Sequence, residues 1–174
     1  QFGSKTKIKM YSVRLGYDSA LKRINKLVEN EHHSESFVTA VFTVEKTLRR
    51  TFRQLVVSSG FKSSIAEKIV KQSNGLHKLI ENWELYDPEH KKFSDIITNQ
   101  DIKTIREAAS MRNKLIHGEK VFSLEICKKE TINVLTSLEN IKDCFESEYG
   151  YSGWKTAKGR KISKLHTDPK VKKK

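Results

Sequence analysis

The sequence predicts an all-α bundle of about five to six helices, followed by a basic tail. Three observations carry this. Apolar residues recur at intervals of three and four through most of the 174 residues. No convincing run shows the period of two that a half-buried strand needs. The two prolines, Pro88 and Pro169, and glycines at 16, 60, 75, 118 and 150 cut the chain into helix-length pieces.

The first predicted helix carries Val13, Tyr17, Leu21, Ile24 and Val28 along one face. The second carries Phe37, Val41, Val44, Leu48, Phe52 and Leu55. Ser64 to Glu67 reads as a capping box that opens a short third helix. Leu76 to Tyr86 forms another short one. Ile102, Ile105, Ala109 and Ile116 mark a fifth, with Thr98 and Asp101 as a second capping pattern and Gly118 as its stop. The sixth runs from about Ser123 to Glu148 and aligns Leu124, Cys127, Thr131, Leu135, Leu138, Ile141 and Phe145. Residues 1–10 read as an N-terminal extension or expression scar, with Met10 as a candidate start. Residues 11–150 form the helical domain and 151–174 the tail.

The charge is uneven. The chain has 34 Lys plus Arg against 21 Asp plus Glu, a net charge of +13. Residues 151–174 alone hold nine cations and one carboxylate, Asp168. An anionic partner is expected, and Tyr151 and Trp154 among the lysines add stacking surface suited to nucleic acid. The bland alternative is a solvated extension. No apolar stretch reaches the roughly 18 residues of a membrane span, and the start lacks a signal-peptide pattern. Cys127 and Cys144 lie 17 residues apart in one predicted helix, roughly 25 Å, so they cannot pair. They fit a reducing, cytoplasmic setting. His32 and His33 are the nearest approach to a metal pair and lack a third ligand.

One residue breaks the helical pattern. The apolar stripe of the fifth helix runs 102, 105, 109, 112, 116, and position 112 is Arg112. A charge on a core stripe is costly unless it is paired or faces a cleft. His117 follows five residues later, before Gly118, where the helix dipole favours an imidazolium. Imidazole and guanidinium together suit phosphodiester chemistry. The first moves the proton of a 2′-hydroxyl or a leaving group, and the second holds the phosphate.

Arg112-Asn113-Lys114-Leu115-Ile116-His117-Gly118 resembles the Arg-x4-6-His motif of HEPN domains, all-α bundles of which many are metal-independent ribonucleases. Glu45-Lys46-Thr47-Leu48-Arg49-Arg50 is similar to the Glu-x3-Lys-Arg motif of abortive-infection members, with Arg49 in place of Lys. The resemblance implies Arg112 and His117 as catalytic residues, Asn113 as an orienting group, and Glu45, Arg49 and Arg50 as a wall of the site or an RNA contact. It implies a homodimer in which two motif copies build one cleft, with no metal or cofactor. The implied reaction is 2′-hydroxyl transphosphorylation to a 2′,3′-cyclic phosphate, in a toxin, phage-defence or RNA-processing setting, under an antitoxin or regulatory domain. Lys46, Lys114, Trp154, Lys155, Lys158, Arg160 and Lys161 are the expected RNA contacts.

Blander readings stand beside these. Glu45 and Arg49 are spaced i,i+4 in the order that favours an ordinary surface ion pair. Arg112 could be a structural arginine paired with Glu45, and His117 a simple helix cap. The alternative function is a non-catalytic HEPN-like dimer that binds RNA or DNA through its tail. A third is a helical scaffold domain of a larger protein.

Overall fold

The computed structural model describes residues 16–154, and every regular element among them is a helix. These are α1 (Tyr17–Glu29), α2 (His33–Ser58), α3 (Ser63–Gln72), α4 (Gly75–Glu81), α5 (Trp83–Tyr86), α6 (Phe93–Ile96), α7 (Asn99–Ile116) and α8 (Leu124–Tyr149). The all-α expectation holds. Val13, the candidate start Met10, and Lys155, Lys158, Arg160 and Lys161 lie outside the described residues. None of the described helices is long and apolar enough to cross a membrane.

The core is organised on α2. Its buried positions Phe37, Val41, Val44, Leu48, Thr51 and Leu55 are spaced four and three apart, as are Cys127, Thr131, Val134, Leu138, Ile141 and Phe145 of α8. Two such seams pack along their length, and α2 with α8 is the most extensive helix pair. The two run parallel. Ser36 and Thr131 share a hydrogen bond of 3.2 Å near their starts, while Phe52 and Phe145 both meet Trp83 near their ends. Helix α7 runs against them. Asn140, late in α8, donates to Asp101 at the start of α7.

The differences from the sequence reading are local. Helix α3 opens two residues early, with Lys62 at the cap and no side-chain cap bond. Ser64 therefore falls inside the helix, and Glu67 pairs with Arg53 at 3.2 Å instead of closing a capping box. The predicted helix from Leu76 to Tyr86 divides at Asn82, whose amide donates to Ser73 Oγ at 3.0 Å. Helix α6 was not expected. It is one turn, with Phe93 buried and Asp95 accepting from the Lys92 amide at 2.9 Å. In α8 the core position is Val134 rather than Leu135, and Leu124 is exposed.

Trp83 and Tyr149 close the far end of the bundle. The Trp83 indole donates to the Tyr149 hydroxyl at 2.9 Å, and Tyr149 donates to Asp87 at 2.6 Å. The other Asp87 oxygen accepts from the amides of Glu89 and Lys91. All three side chains are buried. Tyr149→Phe strands the indole N–H and one carboxylate oxygen. It should cost about 3 kcal/mol, at 1–3 kcal/mol for each stranded group, read as a shifted urea midpoint. Burial, then Asp87, raises the Tyr149 hydroxyl far above the ordinary tyrosine range. Burial and Glu139 raise Tyr17 to about 12. An acid raised in the fold stabilises it below its unfolded value and loses that contribution as pH climbs through the folded one. The melting temperature should therefore fall steadily from about pH 10 upward, and Tyr17→Phe should blunt the early part of that fall.

Candidate active site

The site is built on α7 and the face of α2 it meets. Thr98 caps α7 by accepting from the Asp101 amide at 3.1 Å. From that start Ile102, Ile105 and Ala109 turn inward, and Arg112 follows on the same buried stripe with 8% of its surface exposed. Its partner is Glu45. Nη2 lies 2.5 Å from Oε1 and Nη1 lies 3.4 Å from Oε2, a forked charge-assisted pair across 67 residues of sequence. The guanidinium also rests on the Phe42 ring, 4.7 Å from its centroid.

Beneath this pair Val41, Val44, Leu76, Ile105, Ala108, Ala109 and Val134 form an apolar floor with Glu45 at its edge, and the gap has no room for water. A dry floor strengthens the pair and fixes it. Arg112 Nε is buried without a hydrogen-bond partner among the described residues. Glu45 is thus committed to Arg112 and not to Arg49, so the i,i+4 surface pair does not form. Arg49 donates instead to the Val70 carbonyl at 3.5 Å.

The end of α7 is set by Gly118. Its amide bonds to the Leu115 carbonyl at 3.3 Å, and the Glu119 amide bonds to the Lys114 carbonyl at 2.9 Å. This is the double closure of a Schellman motif, and it requires the left-handed φ of +68° that Gly118 supplies. His117 is consequently the last residue before the turn. Its amide bonds to Asn113 O at 2.9 Å. Its side chain is exposed and has no hydrogen bond or ion pair among the described residues. Asn113 and Lys114 are exposed on the same turn.

The expected residues therefore divide into two groups. Glu45 and Arg112 meet, with His117 exposed at the end of the same helix. Lys46, Arg50 and Trp154 meet on a neighbouring face of α2. The two cations lie 5.3 and 5.2 Å from the Trp154 ring centroid. No hydrogen bond or ion pair joins Arg49 or Arg50 to Arg112 or His117 among the described residues. Trp154, expected in the tail, is seated on the bundle. Its indole donates to Thr47 Oγ1 at 2.8 Å, so the folded part extends through 154. Phe42 escaped the sequence reading. The signal for it was an apolar residue three before Glu45, on the face turned to α7.

Among the described residues no three His, Cys, Asp or Glu side chains come together as a metal site. A separate cleft of about 540 Å³ lies at the start of α7, lined by residues such as Ile80, Phe93, Ile102 and Arg106, and contains none of the candidate residues. No protein-family model, curated protein or solved structure matches the chain.

Proposed function

We propose that this protein is a metal-independent endoribonuclease of HEPN type, acting as a homodimer in a toxin, phage-defence or RNA-processing role. The observation that supports it most is the pairing of a fixed cation with an exposed imidazole on one helix end. Arg112 is held in one orientation by Glu45, and His117 stands about one and a half turns further along without a hydrogen bond or ion pair among the described residues.

In the reaction, the 2′-oxygen forms a bond to the adjacent phosphorus and the bond from phosphorus to the 5′-oxygen breaks. One imidazole takes the 2′-hydroxyl proton. A second, from another copy of the chain, returns a proton to the 5′-oxygen. Each Nη of Arg112 gives one hydrogen to Glu45 and retains one for a phosphate oxygen. Exposed Phe42, Ile116, Val121 and Leu124 surround the end of α7 and the turn into α8. An apolar rim of this kind suits a two-fold contact between copies.

The test is to incubate the full chain with mixed RNA in EDTA and analyse the ends of the products. New 2′,3′-cyclic phosphate and 5′-hydroxyl ends, together with toxicity on expression, are the expected result. Intact RNA and no toxicity would overturn the reading. One observation favours a second reading, a non-catalytic dimeric module binding RNA or DNA through its basic tail. The forked donors of Arg112 are taken by Glu45, as in an arginine that only pins α7 to α2.

A further inference from the structure

The chain leaves α8 through a short segment that builds one seat on α2. Gly150 turns it with φ of +66°. Ser152 is fully buried and donates to Glu146 at 2.7 Å. Gly153 then lies so close to α2 that a Cβ there would stand 2.8 Å from Arg50 Cβ and 3.1 Å from Thr47 O. Arg50 donates to the Gly153 carbonyl at 3.2 Å. Trp154 completes the seat through Thr47, with the Tyr17 ring inclined at 63° to it and the centroids 5.6 Å apart.

The seat gathers two cations that no ion pair among the described residues neutralises. Lys46 and Arg50 stand one turn apart over the same indole. Burial, then the charge of Arg50, lowers the Lys46 ammonium below its ordinary range. The carboxylates of Glu139, Asp143 and Asp18 act on the Tyr17 side of the seat. There Lys142 covers the Tyr17 ring and pairs with Asp143 at 2.9 Å. The next residue in sequence is Lys155, the first of nine cations against one carboxylate.

We propose that Lys46 and Arg50, held by Trp154, form a phosphate clamp for the backbone of single-stranded RNA, on a face of α2 distinct from Arg112 and His117. This rests on the RNA-cleaving reading and extends it to how the strand is held. A phosphate between the two cations relieves their crowding. Two cations beside an aromatic ring are the elements that single-strand binders combine. Trp154 acts here as a positioning residue. Its ring already carries two cations and packs against Tyr17, so it organises charge and does not stack a base.

The test is fluorescence anisotropy with a labelled oligouridine, using the full chain carrying His117→Ala to block turnover, across a salt series. The Lys46→Gln/Arg50→Gln variant should bind about tenfold more weakly. Its salt slope should shrink by about 0.7, the share of one phosphate that is no longer neutralised. Gly153→Ala keeps every charge and the indole but displaces the seat, and should also weaken binding several-fold. Circular dichroism confirms that the variants fold. If the parent binds RNA and both variants match it in affinity and slope, the clamp is wrong while the RNA reading stands. If the parent binds no RNA, the RNA reading itself fails. If polyglutamate binds as tightly and responds to the same substitutions, the seat is a general anion surface and the RNA assignment is overturned.

Discussion

His117→Ala should reduce RNA cleavage by about 10²–10⁴-fold, the range a positioned general acid or base supplies, and leave the fold intact. The side chain is exposed and makes no hydrogen bond or ion pair among the described residues, so its removal disturbs no packing. The cap survives because it is made by backbone groups and Gly118. A melting temperature within a degree or two of wild type is therefore expected beside the loss of activity. His117→Asn offers a control that keeps polarity without proton transfer, and it should be as inactive as the alanine variant. Equal cleavage by wild type and either variant would remove His117 from the chemistry and leave the binding-module reading.

Glu45→Ala should be among the most destabilising single changes in the molecule, at about 3–5 kcal/mol. The side chains of Arg112 and Glu45 are 9% and 16% exposed, so removal of the carboxylate leaves a cation over a dry floor with only the Phe42 ring for company. The charge-free double variant Glu45→Leu/Arg112→Met should recover most of that loss, since a buried pair replaced by packed apolar groups is often close to neutral. A double-mutant cycle measured by urea unfolding gives the coupling directly. A cost below about 1 kcal/mol for Glu45→Ala would mean that water screens the pair as at an ordinary surface. The double variant also separates the two functions. A stable but inactive protein favours the nuclease, and full RNA binding with no cleavage in either protein favours the module.

Most of the fold was legible because long helices repeat their apolar spacing often enough to be read. The failures lie where repetition is short or ambiguous. One turn at Phe93–Ile96 carries no period, and the break at Asn82 depends on a side-chain bond to Ser73. In α8, Val134 and Leu135 are both apolar and offer two stripes, and the seam of α2 decides between them. At the site, Arg112 was legible as a charge on a core stripe, and Glu45 stood among its named partners. Spacing alone equally allowed Glu45 to pair with Arg49. Only the approach of α7 across 67 residues of sequence settles where that carboxylate goes. Trp154 was legible as an aromatic residue among lysines. Its seat depends on the clearance between Gly153 and α2, an approach about a hundred residues distant in the chain and invisible to any local pattern.

The parallel pairing of α2 with α8 also bears on the order of folding. The Ser36–Thr131 bond closes a loop of 95 residues, and the Trp154–Thr47 bond one of 107. Closing loops of that length is slow compared with forming the helices themselves. A chain emerging from its N-terminus can wind α2 early but cannot cover its apolar seam until α8 arrives. Until then Glu45 has α7 alone to hold against, without the Val134 side of the floor. The Arg112–Glu45 pair therefore reaches its buried form late, and a chain truncated within α8 should be helical, aggregation-prone and without an ordered site.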